Sequence, residues 1–362
     1  MKPYGLISDT HNHSWSAFAT VGEDGVNSRL RAILDETKRC AKEVRNNGGD
    51  TIIHAGDLFH VRGSIAPSVL NPTKDCYRDL IKDGFKIVIL AGNHDLEGKE
   101  ANRLFSAVTA LEDIGCKIIN TAQAGLGAME QIVFIPWTPN IADLKKLIAD
   151  AAAADPKGPS DLDLILHAPI DGVIEGIPDH GLSPEWLAEQ GFRRVFAGHY
   201  HHHRHLYDGA RRTYSTDVYS IGALTHQTWS DVDSKAGFLI AHDDAIQRFA
   251  SHAPSFVEID EATAPEEIPL IVDGNYVRAK INSTKQKDVE ELRAYLTDCG
   301  AEGVVILAQK ESSVAKRDGS TVTAGASMEV SVADFIKSKS YANPEKLAVL
   351  CQEILTSARS AA

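Results

Sequence analysis

The chain has 362 residues, 43% apolar and 24% charged, ordinary values for a globular fold and long enough for two domains; they exclude disorder, collagen-like repeats and low complexity. Its 37 basic against 50 acidic residues leave a net charge of −13, which argues against a basic nucleic-acid coat protein but leaves open an enzyme whose bound cations supply positive charge locally. No apolar run approaches the ~20 residues that span a bilayer. The first residues lead straight into a strand pattern rather than a secretory leader, and five scattered cysteines lack any Cys-x-x-Cys pair, so reduced thiols and a cytoplasmic location are expected.

In chain order, β-branched runs predict strands over residues 5–8, 51–54, 86–90, 132–135, 162–166 and 194–197. Several are apolar at consecutive positions, as in strands covered on both faces. Between the first two, Leu30, Ile33, Leu34, Thr37, Ala41 and Val44 fall on one face of a helix that stops at Asn47-Gly48-Gly49. Alternating strand and helix implies a layered α/β architecture. Residues 213–221, 237–240 and 245–249 read as a run of antiparallel strands, and an Ala-, Pro- and Glu-rich boundary falls within 254–269. Beyond it a strand over 275–280, a helix marked by Val289, Leu292 and Leu296, and a strand over 303–307 make one βαβ unit of a small α+β cap. A final helix opens at Asn343-Pro344, with Leu347, Leu350, Ile354 and Ala358 on its apolar side. The expected division is residues 1–250 and 251–362.

The notable polar groups of the first part each follow a strand. They are Asp9 and His11, then Asp57, then Asn93, His94 and Asp95, then His167, then His199 and His201. The C-terminal ends of strands are where layered α/β sheets place their sites. Carboxylate, amide oxygen and imidazole together suit a pair of first-row divalent ions, and the lack of cysteine speaks against a structural zinc site.

Asp9-Thr10-His11, Gly56-Asp57, Gly92-Asn93-His94-Asp95, His167 and Gly198-His199-Tyr200-His201, in this order, resemble the five signature motifs of the calcineurin-like metallophosphoesterases. Within that superfamily Gly56-Asp57-Leu58-Phe59-His60 is similar to the SbcD-type branch of DNA-repair exonucleases, which has phage counterparts, and the cap has that branch's size and position. The resemblance implies a four-layer sandwich, two mixed sheets flanked by helices, with a small C-terminal α+β cap. It implies two divalent metal ions, Mn²⁺ first, with Fe, Zn or Mg as alternatives. One would be held by Asp9, His11 and His201, the other by Asn93, His167 and His199, with Asp57 bridging. His94 would protonate the leaving oxygen, and Asp95 would orient its ring. The implied activity is that of a DNA nuclease, exonuclease or endonuclease, in which water ionised between the metals attacks the phosphodiester. The implied partners are single- or double-stranded DNA, a second copy of the chain and a coiled-coil ABC-type ATPase, as in an SbcCD-like repair and recombination complex, with no membrane. A small-substrate phosphodiesterase or phosphoprotein phosphatase on the same site is the alternative.

His60 and Arg62, on the loop after Asp57, are candidates for phosphate contact. His13, His202, His203 and His205 read as mostly solvated, and His54 as a satisfied core histidine. Trp15 and Phe18 could stack on a base or close the cleft. For a DNA substrate, some of the basic groups Arg193-Arg194, Arg211-Arg212, Lys285 with Lys287, Lys316-Arg317 and Lys337 with Lys339 should face the site.

Overall fold

The computed structural model describes residues 1–97, 106–125, 129–154, 156–283, 285–308, 332, 335–336 and 343–360, with 353 and 355–360 described by backbone alone. The first twelve strands are β1 (Tyr4–Ile7), β2 (Thr51–His54), β3 (Lys86–Leu90), β4 (Lys117–Ile119), β5 (Gln123–Ala124), β6 (Ile132–Ile135), β7 (Asp163–His167), β8 (Arg194–Gly198), β9 (Arg204–Tyr207), β10 (Asp217–Ser220), β11 (Gly237–Ala241) and β12 (Ile246–Ala250). Among them lie the helices α1 (Ser28–Asn46), α2 (Pro67–Lys82), α3 (Ile141–Ala154) and α4 (Pro184–Glu189).

The strands form two six-stranded mixed sheets, ordered β12-β11-β1-β2-β3-β4 and β5-β6-β7-β8-β10-β9. Side chains alternate across the pleat, so each sheet feeds two cores. Tyr4, Leu6, Ile53 and Val88 of the first sheet meet Phe134, Ile165 and Phe196 of the second. On the far side of the first sheet, Ile7, Ile52, Ile87 and Ile89 pack against Leu30 and Val44 of α1 and Val69 and Tyr77 of α2. On the far side of the second, Val133, Leu164 and Val195 pack against Leu144 and Ile148 of α3 and Leu187 of α4. The result is the four-layer order helix, sheet, sheet, helix.

Register decides where the loops emerge. Ile7 lies opposite His54 and His54 opposite Ile89 in parallel pairing, and His167 lies opposite Gly198. The central parallel strands of each sheet therefore end in step, and the loops that follow them share one end of the sandwich.

The antiparallel run expected after residue 194 holds only in part. β10 pairs in parallel with β8, β9 is antiparallel to β10, and β11 crosses to the first sheet to pair antiparallel with β1. The helix α2 was not legible because Pro72 interrupts its pattern, yet Val69, Thr73, Cys76, Tyr77 and Leu80 keep a buried stripe at helical spacing.

A third sheet contains β13 (Phe256–Ile259), β14 (Tyr276–Ile281) and β15 (Gly303–Ala308), with α5 (Ile268–Val272) before β14 and α6 (Gln286–Asp298) between β14 and β15. The expected βαβ unit is β14, α6 and β15. β13 lies within the stretch that reads as a boundary. Ile259, Val272, Val277, Ala279 and Leu296 give this sheet a small core of its own, while its residues up to Leu307, apart from 282–284, share one compact unit with the two large sheets. The second unit contains α7 (Pro344–Ser360), the expected terminal helix, on which Leu350 and Ile354 are exposed. Among the described residues no helix is long and apolar enough to cross a membrane.

Candidate metal centre

Asp9 and His11 follow β1, Asp57 follows β2, Asn93 to Asp95 follow β3, His167 ends β7, and His199 and His201 follow β8. Four of these bend the backbone into the left-handed region, Asp9 (φ 50°), His11 (43°), Asp57 (57°) and His199 (105°). Such a conformation costs an L-residue ~1–3 kcal/mol, and strain of this kind gathers at functional sites. Two glycines allow the close approach. A Cβ on Gly56, whose φ is 103°, would lie 2.6 Å from His167 Cγ and closer still to its Nδ1; one on Gly92 would lie 2.9 Å from Asp57 Cγ and closer still to Oδ1.

The seven predicted ligand positions come together around the Asp57 carboxylate. Oδ2 is 3.7 Å from His11 Nε2 and Oδ1 is 3.5 Å from His167 Nε2. On one side, donor atoms of Asp9, His11 and His201 lie within 4.8 Å of one another; on the other, those of Asp57, His167 and His199 do. Asn93 Oδ1 joins the second group, 3.1 Å from His167 Nε2 and 2.9 Å from His199 Nδ1. The Asp9 carboxylate accepts from the His199 amide at 3.0 Å. Asp9 and His167 are fully buried, and His11 and Asp57 nearly so.

Burial in a crowded site sets the titration. It raises Asp9 and lowers His11 well below the usual imidazole range, and it carries His199 down to about 3. For Asp57 burial acts upward, but the charge and hydrogen bond of His167 outweigh it and hold the carboxyl well below its ordinary value. His167 is the converse: burial acts downward, and Asp57 carries it up to about 9.

His94 and its surroundings differ from expectation in one respect. His94 Nδ1 donates to the His60 carbonyl at 2.8 Å, leaving Nε2 for the site, and its ring stands edge-on to His11 with centroids 4.8 Å apart. Asp95 is not the group that orients this ring. Its buried carboxylate accepts from the backbone N–H groups of Gly92 (2.9 Å), Phe59 (3.0 Å) and Leu58 (3.3 Å), tying together the loops that carry Asp57 and His94, and burial beside Asp57 raises it to about 7. His60 Nδ1 faces His11 Nδ1 at 3.4 Å, and Arg62 Nε donates to the Asn93 carbonyl at 2.9 Å, so both brace the centre.

Three further residues belong here. Asp231 accepts from His201 Nδ1 at 2.6 Å, which fixes the ring with Nε2 directed away from that carboxylate. Gln227 Nε2 donates to the Asp9 carbonyl at 2.5 Å. Trp137 stacks on His199, centroids 5.2 Å apart and 23° between planes. Trp137 escapes the sequence reading, although its place two residues past β6 is a strand-end signal; Asp231 is marked only by its place in the Thr228-x-x-Asp231 capping box.

His54 is only half satisfied: Nε2 bonds the Thr10 hydroxyl at 2.9 Å, and Nδ1 is buried without a hydrogen-bond partner. Phe18 stacks on Tyr276 with centroids 5.0 Å apart, and Trp15 lies against His13 and His60. His203 is half-buried and donates to the Ile221 carbonyl; His205 is exposed, as expected, with its ring stacked on Tyr219. Arg193 and Arg194 both bind Asp163, Arg211 pairs with Asp208, Arg212 with Glu185, and Lys287 with Glu291. Lys316, Arg317, Lys337 and Lys339 lie outside the described residues.

The sequence model of the calcineurin-like phosphoesterase family matches residues 2–203. The chain is a calcineurin-like phosphoesterase. Exonuclease subunit 1 of Enterobacteria phage T4 is 23% identical over 187 residues, 46% of this chain and 48% of that protein. The DNA double-strand break repair protein Mre11 of Methanopyrus kandleri is 34% identical over 89 residues, 24% of this chain and 19% of that protein. The chain thus spans about half the length of the first relative and less of the second. Among solved structures, a dimetal phosphatase from Danio rerio aligns over 69% of this chain and 98% of its own at 10% identity and a TM-score of 0.41. Pseudomonas putida nuclease MPE aligns over 68% and 87% at 16% identity and a TM-score of 0.30; neither likeness bears on function.

The fold of this phosphoesterase family binds two divalent metals, and the donor set fits them. His167 Nδ1 lies 2.7 Å from the Ala55 carbonyl and must donate to it, which directs Nε2 at Asn93 Oδ1, 3.1 Å away, and at Asp57 Oδ1, 3.5 Å away. In the metal-free site a proton on Nε2 supplies the positive charge between these oxygens. A divalent cation would take that proton's place, with the Nε2 lone pair and the oxygens as its donors.

Proposed function

We propose that this phosphoesterase is a dinuclear-metal-dependent DNA nuclease, the nuclease subunit of an SbcCD-like assembly. The observation that carries the reading is the Asp57 carboxylate set between two groups of oxygen and imidazole donors, Oδ2 toward His11 and Oδ1 toward His167. On this reading Asp9, His11 and His201 hold one ion, Asn93, His167 and His199 the other, and Asp57 bridges. Mixed oxygen and nitrogen donors without thiolate suit Mn²⁺. The two cations would neutralise the phosphoryl oxygens and make water acidic enough to ionise near neutral pH. His94, with Nδ1 committed to the His60 carbonyl, presents Nε2 as the proton donor for the leaving oxygen. Asp95 supports this geometry through the loops it joins, and His60 and Arg62 hold the rim.

The nuclease assignment draws on the names of the phage and archaeal relatives. On the same reading residues 251–362 serve in substrate binding, and the exposed apolar positions of α7 support docking to a coiled-coil ATPase or to a second copy of the chain. The net charge of −13 favours the second reading, a small-substrate phosphodiesterase or phosphoprotein phosphatase. Labelled single- and double-stranded DNA, cyclic nucleotides and phosphopeptides are offered with Mn²⁺. DNA degradation is the expected result, falling ~10²–10⁴-fold in His94→Ala. Turnover of phosphopeptides or cyclic nucleotides with DNA left intact would establish the alternative.

A further inference from the structure

Arg29 is the second residue of α1 and is 5% exposed. A cation in the first turn faces the positive end of the helix dipole, and a buried one loses its water, so other contacts must hold it there. Rings from three separate segments surround its guanidinium, Trp15 and Phe256 with centroids at 5.0 Å and Tyr276 at 5.5 Å. Trp15 lies in the loop after β1, Phe256 in β13 and Tyr276 in β14. Arg29 Nη2 donates to the Gln227 carbonyl at 2.5 Å and also reaches the His226 carbonyl at 3.4 Å. His226 in turn accepts the Phe256 amide on Nδ1 at 3.0 Å. The loop over residues 226–231 is therefore pinned on one side by Arg29 and the third sheet.

The other side of that loop reaches the metal centre. Gln227 Nε2 holds the Asp9 carbonyl, and Asp231 fixes His201 while accepting from the Gln227 amide at 2.7 Å and the Thr228 amide at 2.9 Å. These bonds act directly on Asp9 and His201. In the other half, His167 is fixed by the Ala55 carbonyl and Asn93 by Arg62, both independent of this loop, while His199 touches the first half through its amide, which donates to the Asp9 carboxylate at 3.0 Å.

We propose that Arg29 is a positioning residue that couples the seating of the β13–β14 sheet to one half of the metal centre, the half built from Asp9, His11 and His201. The proposal rests on the dinuclear reading above. Without the guanidinium the loop loses one of its anchors, the Gln227 and Asp231 supports of the Asp9 carbonyl and the His201 ring loosen, and one ion is held less firmly than the other. Groups that orient metal ligands typically contribute 10–100-fold to metal affinity. Such coupling makes the third sheet a sensor of, and a lever on, occupancy at a single ion.

The test is calorimetric titration of the metal-free protein with Mn²⁺, with electron paramagnetic resonance reporting whether bound ions are spin-coupled in pairs. The wild-type chain should take up two Mn²⁺ ions as a coupled pair; failure to do so would refute the dinuclear reading itself. Arg29→Met should weaken one site about 10–100-fold, leave the other within about threefold, and replace the coupled signal by that of isolated Mn²⁺ at limiting metal. Tyr276→Leu, which removes one ring from the sheet side alone, should do the same to a smaller extent, and it carries the test if Arg29→Met does not fold. Equal weakening of both sites, or two unaltered sites in either folded variant, would overturn the proposal.

Discussion

Gly56→Ala is the sharpest probe of how the backbone builds the centre. The added methyl meets His167 Cγ at 2.6 Å, against the ~3.5 Å at which carbon atoms ordinarily touch, so the ring must retreat by about 1 Å. That retreat stretches the 2.7 Å bond from His167 Nδ1 to the Ala55 carbonyl, a loss of ~1 kcal/mol. An L-residue at φ 103° adds ~1–3 kcal/mol of strain. The sum, about 2–4 kcal/mol, lies within the ~5–15 kcal/mol by which folded domains are stable, so the variant folds but melts earlier. The chemistry suffers more, since a reacting group misplaced by ~1 Å can cost about 10²-fold in turnover. Thermal denaturation, Mn²⁺ titration and hydrolysis of bis(p-nitrophenyl) phosphate measure the three effects. A variant that binds metal as the parent does and turns over within twofold of it would refute the claim that Gly56 makes room for His167.

Asp163→Ala should destabilise the fold by ~3–5 kcal/mol, read from the urea midpoint, because it strands Arg194, whose side chain is 6% exposed, and frees Tyr4, whose hydroxyl donates to Asp163 across the two sheets at 2.5 Å. Burial acts to raise the Asp163 carboxyl, but its bonds from Arg194 and Arg193 prevail and depress it. Its contribution is therefore full above the unfolded carboxyl value and is lost as the pH falls through the lower folded one. Asp231 behaves alike: against burial, the His201 bond holds it at about 2 from an ordinary 3.8. In the metal-free protein its contribution should fade between about pH 4 and pH 2. Asp231→Asn should remove that part of the acid transition in tryptophan fluorescence, and an unchanged profile would show that the pair contributes nothing to stability.

The parallel strands and the residues at their ends were legible because both signals are local: a buried strand reads as an apolar run, and a ligand follows directly in sequence. Elements whose partners are distant were not. β13 reads as linker because only Phe256 and Ile259 are fully buried, and α2 hides behind Pro72. The crossing of β11 into the first sheet leaves no mark in its own residues. The role given to Asp95 failed for a related reason. Adjacency to His94 suggested a side-chain bond, whereas the carboxylate turns to amides 36 and 37 residues earlier. Asp231 acts on His201, 30 positions earlier, and Gln227 on Asp9, 218 positions earlier, and neither residue's immediate neighbours announce it.

The candidate ligands are shared between the two large sheets, oxygen donors and His11 from the first and the remaining imidazoles from the second. During synthesis the chain emerges as far as β4 with three acidic or amide groups in place and only one ligating histidine. The others arrive some fifty to eighty residues later, and β11, which completes the first sheet, later still. A half-made polypeptide thus lacks the means to trap a pair of ions, and hydrolytic competence waits until both halves have met.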